Sequence, residues 1–135
     1  IIDITSASAS SQEGAHWRAS QAIDHMYYTR WLSAFEDNQW FAVDLGLLTS
    51  ISEVRLRWER AYASEYKLQK GDSSSGPWTD LVHITDSDGG TDIHDGLNEV
   101  TQYVRLECIH RASNYGFSLQ EFEVRGTPVC NQPSV

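Results

Sequence analysis

The chain has 135 residues, 40% of them hydrophobic and 11% aromatic, which describes one globular domain with a real core rather than a disordered segment. Its net charge of −9 argues against nucleic acid and anionic lipid, both of which reward a basic surface, and suits a neutral or cationic ligand or plain solubility. No apolar run approaches the roughly 20 residues that span a bilayer, and no leader is legible at Ile1, so a mature domain or a piece of a longer chain is expected.

Taken in order, residues 8–17 read as a first loop and Ala19 to Asp24 as one helical turn at most. A second loop, residues 24–38, precedes the alternating Phe41, Val43 and Leu45, which stop at Gly46. Val54, Leu56 and Trp58 alternate with Arg55, Arg57 and Glu59, and residues 59–64 form the next loop. Tyr66, Leu68 and Lys70 precede the turn-rich run 71–77. An acidic loop at 86–95 leads to Val104, Leu106 and Cys108, and a loop at 110–118 leads to Phe122 and Val124 before Gly126. A period of two with alternate positions polar means sheets with one wet face. Seven or more such strands in a domain of this size predict an all-β fold, a β-sandwich or jelly roll, over residues 1–126. Residues 127–135 hold two of the three prolines and no pattern, and read as a C-terminal tail or the start of a linker.

The two cysteines, Cys108 and Cys130, form no Cys-x-x-Cys pair, which argues against a zinc site. A bond between them would close a loop of about 22 residues, worth roughly 3 kcal/mol. Cys108 also alternates inward with Val104 and Leu106, so a buried thiol fits equally well, and the compartment stays open.

In a sandwich, function concentrates in the loops at one end. Thr29-Arg30-Trp31 and Trp58-Glu59 each place a charged residue beside a tryptophan where strand pattern meets loop. Arginine is a forked donor, glutamate a two-oxygen acceptor, and an indole a flat apolar face; together they can grip one sugar ring. Trp17, Tyr27, Tyr28, Phe35, Tyr62 and Tyr115 also fall in loops, where they can form a sugar platform, a membrane spike set, or nothing in particular. Glu13, Glu36 and Glu59 include a formal acid/base pair, but a glycosidase needs a deep cleft with several subsites, which a domain this small rarely builds. No Gly-x-Ser-x-Gly or His-Glu-x-x-His motif is present, and the five histidines show no metal spacing. Asp24 within Ala22-Ile23-Asp24-His25-Met26-Tyr27-Tyr28-Thr29 can cap a turn or join a hard-cation site; on these residues alone the turn is the plainer reading. The run 86–92 has the look of a calcium loop, yet Leu97 occupies the place of the closing glutamate, so an acidic glycine-rich hairpin turn is expected.

The order of these pieces resembles a known family. Ala22 to Trp31, then Trp40-Phe41-Ala42-Val43-Asp44-Leu45-Gly46, then Trp58-Glu59-Arg60-Ala61-Tyr62, Tyr103-Val104-Arg105-Leu106 and Tyr115-Gly116-Phe117-Ser118-Leu119 are similar to the discoidin, or coagulation factor V/VIII type C, domain, most of all its carbohydrate-binding module family 32 branch. The resemblance covers about residues 4–126. It implies a discoidin-like, galactose-binding-domain-like jelly roll and a non-catalytic module that binds the ends of polysaccharide or oligosaccharide chains. It also implies a secreted, monomeric domain appended to a larger multidomain enzyme. It implies a structural Ca2+ held by Ala22, Asp24, Met26, Thr29 and Glu121, with His25 standing where the family favours glycine. For the ligand it implies Glu13, Arg30, Phe35 and Glu59, matching a chitosan-binding subgroup, with Tyr62 and Tyr115 as further ring contacts. The favoured ligand is glucosamine-type (chitosan) or β-glucan. Galactose or N-acetylgalactosamine binding is the first alternative, and a membrane or cell-adhesion discoidin role through Met26, Tyr27 and Tyr28 the second.

Overall fold

A computed structural model describes residues 1–26 and 28–129. Eight strands form: β1 (Ser6–Ala9), β2 (Trp31–Leu32), β3 (Gln39–Trp58), β4 (Ala63–Gly71), β5 (Trp78–Ile84), β6 (Thr91–His94), β7 (Glu99–Arg111) and β8 (Ser118–Pro128). Two short 3-10 turns, Ala15–Trp17 and Ala19–Ala22, lie between β1 and β2, the second where the sequence allowed one helical turn. Pairing is antiparallel throughout, in the order β2-β8-β3-β7-β4-β5, with β1 and β6 also on β3.

β3 organises the sandwich. Its first part, from Gln39 to Asp44, pairs with β7 and β1. Its last part, from Glu53 to Trp58, pairs with β8 and β6. The sequence predicts two strands here, broken at Gly46; the structure joins them into one strand of 20 residues. The register shift between Asp44 and Thr49 absorbs the irregularity. Gly46 sits there at φ +83°, and a Cβ would strike the Thr5 hydroxyl, so the position takes glycine for both reasons. A second difference is β6, four residues within what reads as the acidic loop, paired to Val54–Arg57.

The alternation fills the core as expected. Phe41, Val43, Leu68, Val104, Leu106 and Cys108 face inward from one layer, and Leu56, Leu119, Phe122 and Val124 from the other. The rings of Phe41 and Phe122 meet across the layers at 5.3 Å, and Trp31 meets Phe41 at 5.4 Å. Trp31 is fully buried, its indole N–H donating to the Ser11 carbonyl at 2.9 Å, so it belongs to the core and not to the ligand. Burial raises the Cys108 thiol pKa well above its usual range. Cys130, and with it any bond to Cys108, lies outside the described residues. β8 continues to Pro128, two residues past the boundary read from the sequence.

Candidate functional site

Three of the predicted loops converge at one end of the sandwich. Arg30 and Leu32 from the second loop, Glu59, Arg60 and Ala61 after β3, and Ser113 and Tyr115 before β8 line a cleft of about 350 Å³. Local hydrogen bonds explain why they meet. The Glu59 N–H donates to the Ser118 carbonyl at 3.0 Å and the Ser118 N–H to the Ala61 carbonyl at 2.7 Å, which folds the 59–61 turn onto the start of β8. Ser33 is clamped to Phe117 twice, backbone to backbone at 2.9 Å and through its hydroxyl at 2.8 Å. Asp37 accepts from the N–H and the Nε of Arg111 at 3.0 and 2.9 Å, tying the rim loop to the 111–115 loop. That guanidinium holds the Asp37 carboxyl below its usual range.

The electrostatics centre on Arg30 and Glu59. Burial works against the charge on Glu59. The amides of Arg60 and Ala61, the neighbouring Ser118 hydroxyl and the positive charge of Arg30 outweigh it and hold the carboxyl below its ordinary value. The Ala61 contact is long, 3.4 Å, and Ser118 Oγ makes no well-formed hydrogen bond, so Glu59 keeps acceptor capacity for a ligand. Arg30 lies with its guanidinium carbon 5.9 Å from the Trp17 ring centroid, and its Nε is buried with no partner. An unpaired buried N–H costs roughly 1–3 kcal/mol.

The remaining ligand candidates divide. Tyr115 lines the cleft, 64% exposed, and packs edge-on to Phe35 at 5.8 Å, so the two rings form one rim. Glu13 is tied by its backbone to the Leu32 carbonyl at 2.9 Å, with its side chain exposed and outside the cleft-lining set. Tyr62 does not join them: its ring packs on Gly89, away from the cleft-lining set. Trp17, Arg60 and Ser113 are in or beside the site without having been singled out as ligand residues. Trp17 was legible only as a loop aromatic, because its stacking on Arg30 bridges 13 positions of sequence. Among the described residues lining the cleft, Glu59 is the one carboxylate.

Of the five cation candidates, Asp24, Met26, Thr29 and Glu121 come together, and Ala22 is buried at the end of the second 3-10 turn. Thr29 Oγ1 donates to Asp24 Oδ2 at 2.6 Å and lies 3.2 Å from the Gln21 carbonyl and 3.3 Å from the Met26 carbonyl. Asp24 Oδ1 accepts from the Met26 N–H at 3.0 Å. His25 adopts φ +62°, the conformation that the glycine of the resembling family would favour. Glu121, 2% exposed, has both carboxylate oxygens buried without a hydrogen-bond partner; His25 Nδ1 is 3.7 Å away. Burial first, then the charges of Asp24 and Glu123, push its pKa up to about 8. Two orphaned oxygens facing a second carboxylate, with carbonyls and a hydroxyl at hand, are a donor set that fits a hard cation. Among the described residues no three His, Cys, Asp or Glu side chains form a metal cluster, so most donors here would be backbone and hydroxyl oxygens. Met26 and Tyr28 are exposed, and Tyr27 lies outside the described residues.

Known proteins resemble this chain over most of its length. The F5/8 type C-like family model described as "NedA-like, galactose-binding domain" matches residues 21–106. Chitosan-binding module 1 of a chitosanase/glucanase from Paenibacillus sp. IK-5 is 42% identical, with a TM-score of 0.87 over 93% of this chain and 96% of that one. Chitosan-binding module 2 of the same enzyme, solved with chitotriose, is 36% identical, with a TM-score of 0.87 over 93% and 98%. The family 32 module of NanJ from C. perfringens, solved with galactose, is 20% identical, with a TM-score of 0.77 over 88% and 91%, and shares the fold. No match was found among curated proteins.

Proposed function

The chain belongs to the F5/8 type C-like galactose-binding domain family, as a non-catalytic carbohydrate-binding module, and from that premise we propose that its cleft takes the end of a glucosamine-type chain such as chitosan. The observation that carries this reading is Glu59, held ionised, lining the same cleft as Arg30, whose positive charge helps to hold it so. An ionised carboxylate accepts from a protonated amine in a charge-assisted bond of roughly 1.5–3 kcal/mol, and the arginine donates to a ring hydroxyl. Phe35 and Tyr115 offer the apolar face on which a pyranose ring stacks. The chitosan-binding relatives, one of them solved with chitotriose, support the choice of sugar. A shallow cleft gives affinity on the order of micromolar to millimolar, raised by linkage to other modules. The reading places the module on a secreted polysaccharide-degrading enzyme, as its relatives are derived from a chitosanase/glucanase.

The same proposal includes a structural calcium ion. Asp24, Thr29 and Glu121 would hold it, with carbonyls of Ala22 and Met26. The ion would neutralise the buried carboxylates and fix the turn that leads into Arg30. Calorimetry against glucosamine, β-glucose and galactose oligomers at equal concentration tests the ligand. Heat with the amino sugars is expected. Binding to galactosides with none to glucosamine oligomers would overturn the chitosan reading in favour of the galactose alternative.

A further inference from the structure

Away from the cleft, the outer face of the sheet carries a second built surface. The register places Asp44, Tyr103, Gly71 and Trp78 in one row across β3, β7, β4 and β5, and Arg105 in the next row beside Gln69. Trp40 stands in the row after that, opposite Glu107. All of these side chains point away from the core that Phe41, Val43, Val104 and Leu106 fill. Gly71 leaves a gap in its row, and the Trp78 ring lies across it: a Cβ on Gly71 would sit 2.6 Å from the ring. The Arg105 guanidinium carbon is 4.7 Å from the Trp78 ring centroid, its Nε held by Gln69 Oε1 at 2.8 Å. Glu107 lies 3.9 Å from Arg105 Nη2. Two grooves flank Trp78. One, about 170 Å³, runs to Trp40 and Arg105; the other, about 190 Å³, runs to Tyr103 and Asp44, and Ser74 overhangs both.

We infer that this face is a second carbohydrate subsite, on which a polysaccharide chain lies across Trp78 with one ring toward Trp40 and the next toward Tyr103. The chemistry repeats that of the cleft: an arginine stacked on a tryptophan beside a carboxylate, with hydroxyls around the aromatic faces. Flat apolar rings give a pyranose its stacking surface, and Arg105, Asp44 and Ser74 serve its hydroxyls. Arg105 is immobilised by Gln69 before any ligand arrives, so little side-chain freedom is lost on binding. The charges on the face are of both signs, which suits a hydroxyl-rich chain better than a polyanion. Two subsites on one module raise the affinity for a long chain without raising it for a monosaccharide. The inference rests on carbohydrate being the ligand, and not on which sugar fills the cleft.

The test follows indole N–H signals in a two-dimensional 1H–15N spectrum while hexamers of glucosamine and of β-1,4-glucose are titrated. In the variant carrying Arg30→Ala and Glu59→Ala together, the Trp40 and Trp78 signals are expected to shift, while those of buried Trp31 and Trp58 stay put. Adding Trp40→Ala, or Ser74→Tyr, which fills both grooves from an exposed turn, weakens the residual binding by about fivefold or more. Silence of Trp40 and Trp78 with a responding Trp17 in the unaltered protein would overturn the second subsite and leave the cleft standing. No shift of any tryptophan with either hexamer would overturn both.

Discussion

Removing the charge of Glu121 while keeping its shape should change stability in opposite senses with and without calcium. In the metal-free protein the folded carboxyl has its pKa pushed up from 4.5 to about 8. Between these values the folded state binds more protons than the unfolded state, so stability is full below the unfolded pKa and falls as pH rises toward the folded one. At about pH 7 the interval above 4.5 is about 2.5 units, which at 1.36 kcal/mol per unit is a cost of about 3 kcal/mol. Glu121→Gln is neutral at every pH and escapes that cost. For a domain of 135 residues, 1 kcal/mol shifts Tm by about 4 °C, so the metal-free variant should melt about 10 °C above the metal-free parent at about pH 7. At about pH 5 the gap should shrink to roughly 1 kcal/mol or less. On the proposal that calcium binds here, millimolar calcium should reverse the order, because the ion would stabilise the parent by mass action and the amide would bind it poorly. Thermal melts by circular dichroism at both pH values, with resin-stripped and calcium-loaded protein, measure all four differences. Taking the variant against the parent at each pH cancels the other titrating groups. A metal-free variant no more stable than its parent at about pH 7 would refute the picture of a buried, uncompensated carboxylate.

The cleft makes its own predictions. Arg30→Ala and Glu59→Ala should each abolish the calorimetric signal of glucosamine and its dimer, too short to use the sheet face, while Tm stays within about 5 °C, since neither side chain belongs to the packed core. Phe35→Ala and Tyr115→Ala should each weaken binding about fivefold, and the double variant by less than the product, because the two rings form one rim. Tyr62→Ala should leave affinity within about twofold and lower Tm instead, as its ring packs on Gly89. Because the Glu59 carboxyl is held below 4.5, affinity for glucosamine oligomers should persist as pH falls to about 4.5 and decline only below it; a loss already near pH 6 by calorimetry would remove Glu59 from the site.

Much of the fold was legible because side-chain burial in a sandwich follows a period of two. Phe41, Val43, Leu106 and Val124 announce themselves by alternation. Gly46 misled the reading because a glycine between alternating runs signals a turn and a bulge equally, and only the partners of β3 decide. β6 was hidden because four residues, two of them Asp92 and His94, carry too little pattern against an acidic loop. At the site, Arg30 and Glu59 were legible from a charge set beside a tryptophan at a strand end, and Asp24 and Glu121 from the family resemblance. The direction of a loop ring was not. Tyr62 and Tyr115 look alike in sequence, yet one packs on Gly89 and the other lines the cleft. The sheet-face tryptophans were equally invisible as a group, since Trp40 and Trp78 are 38 positions apart and meet only through β7 and β4.

β3 threads both layers, hydrogen-bonded to β7 along one stretch and to β8 along the next. The two layers share its backbone at Thr49–Ile51, so melting either one strips hydrogen bonds next to those of the other and couples the two. Glu59 is the first residue beyond that strand, so the recognition end hangs directly from it. The protein should behave as a single mechanical body under load. If the module is attached to an enzyme as proposed, a pull along the polymer would pass from the grip on the sugar into a continuous strut rather than into a hinge. The bond to the ligand should then give way before the scaffold does.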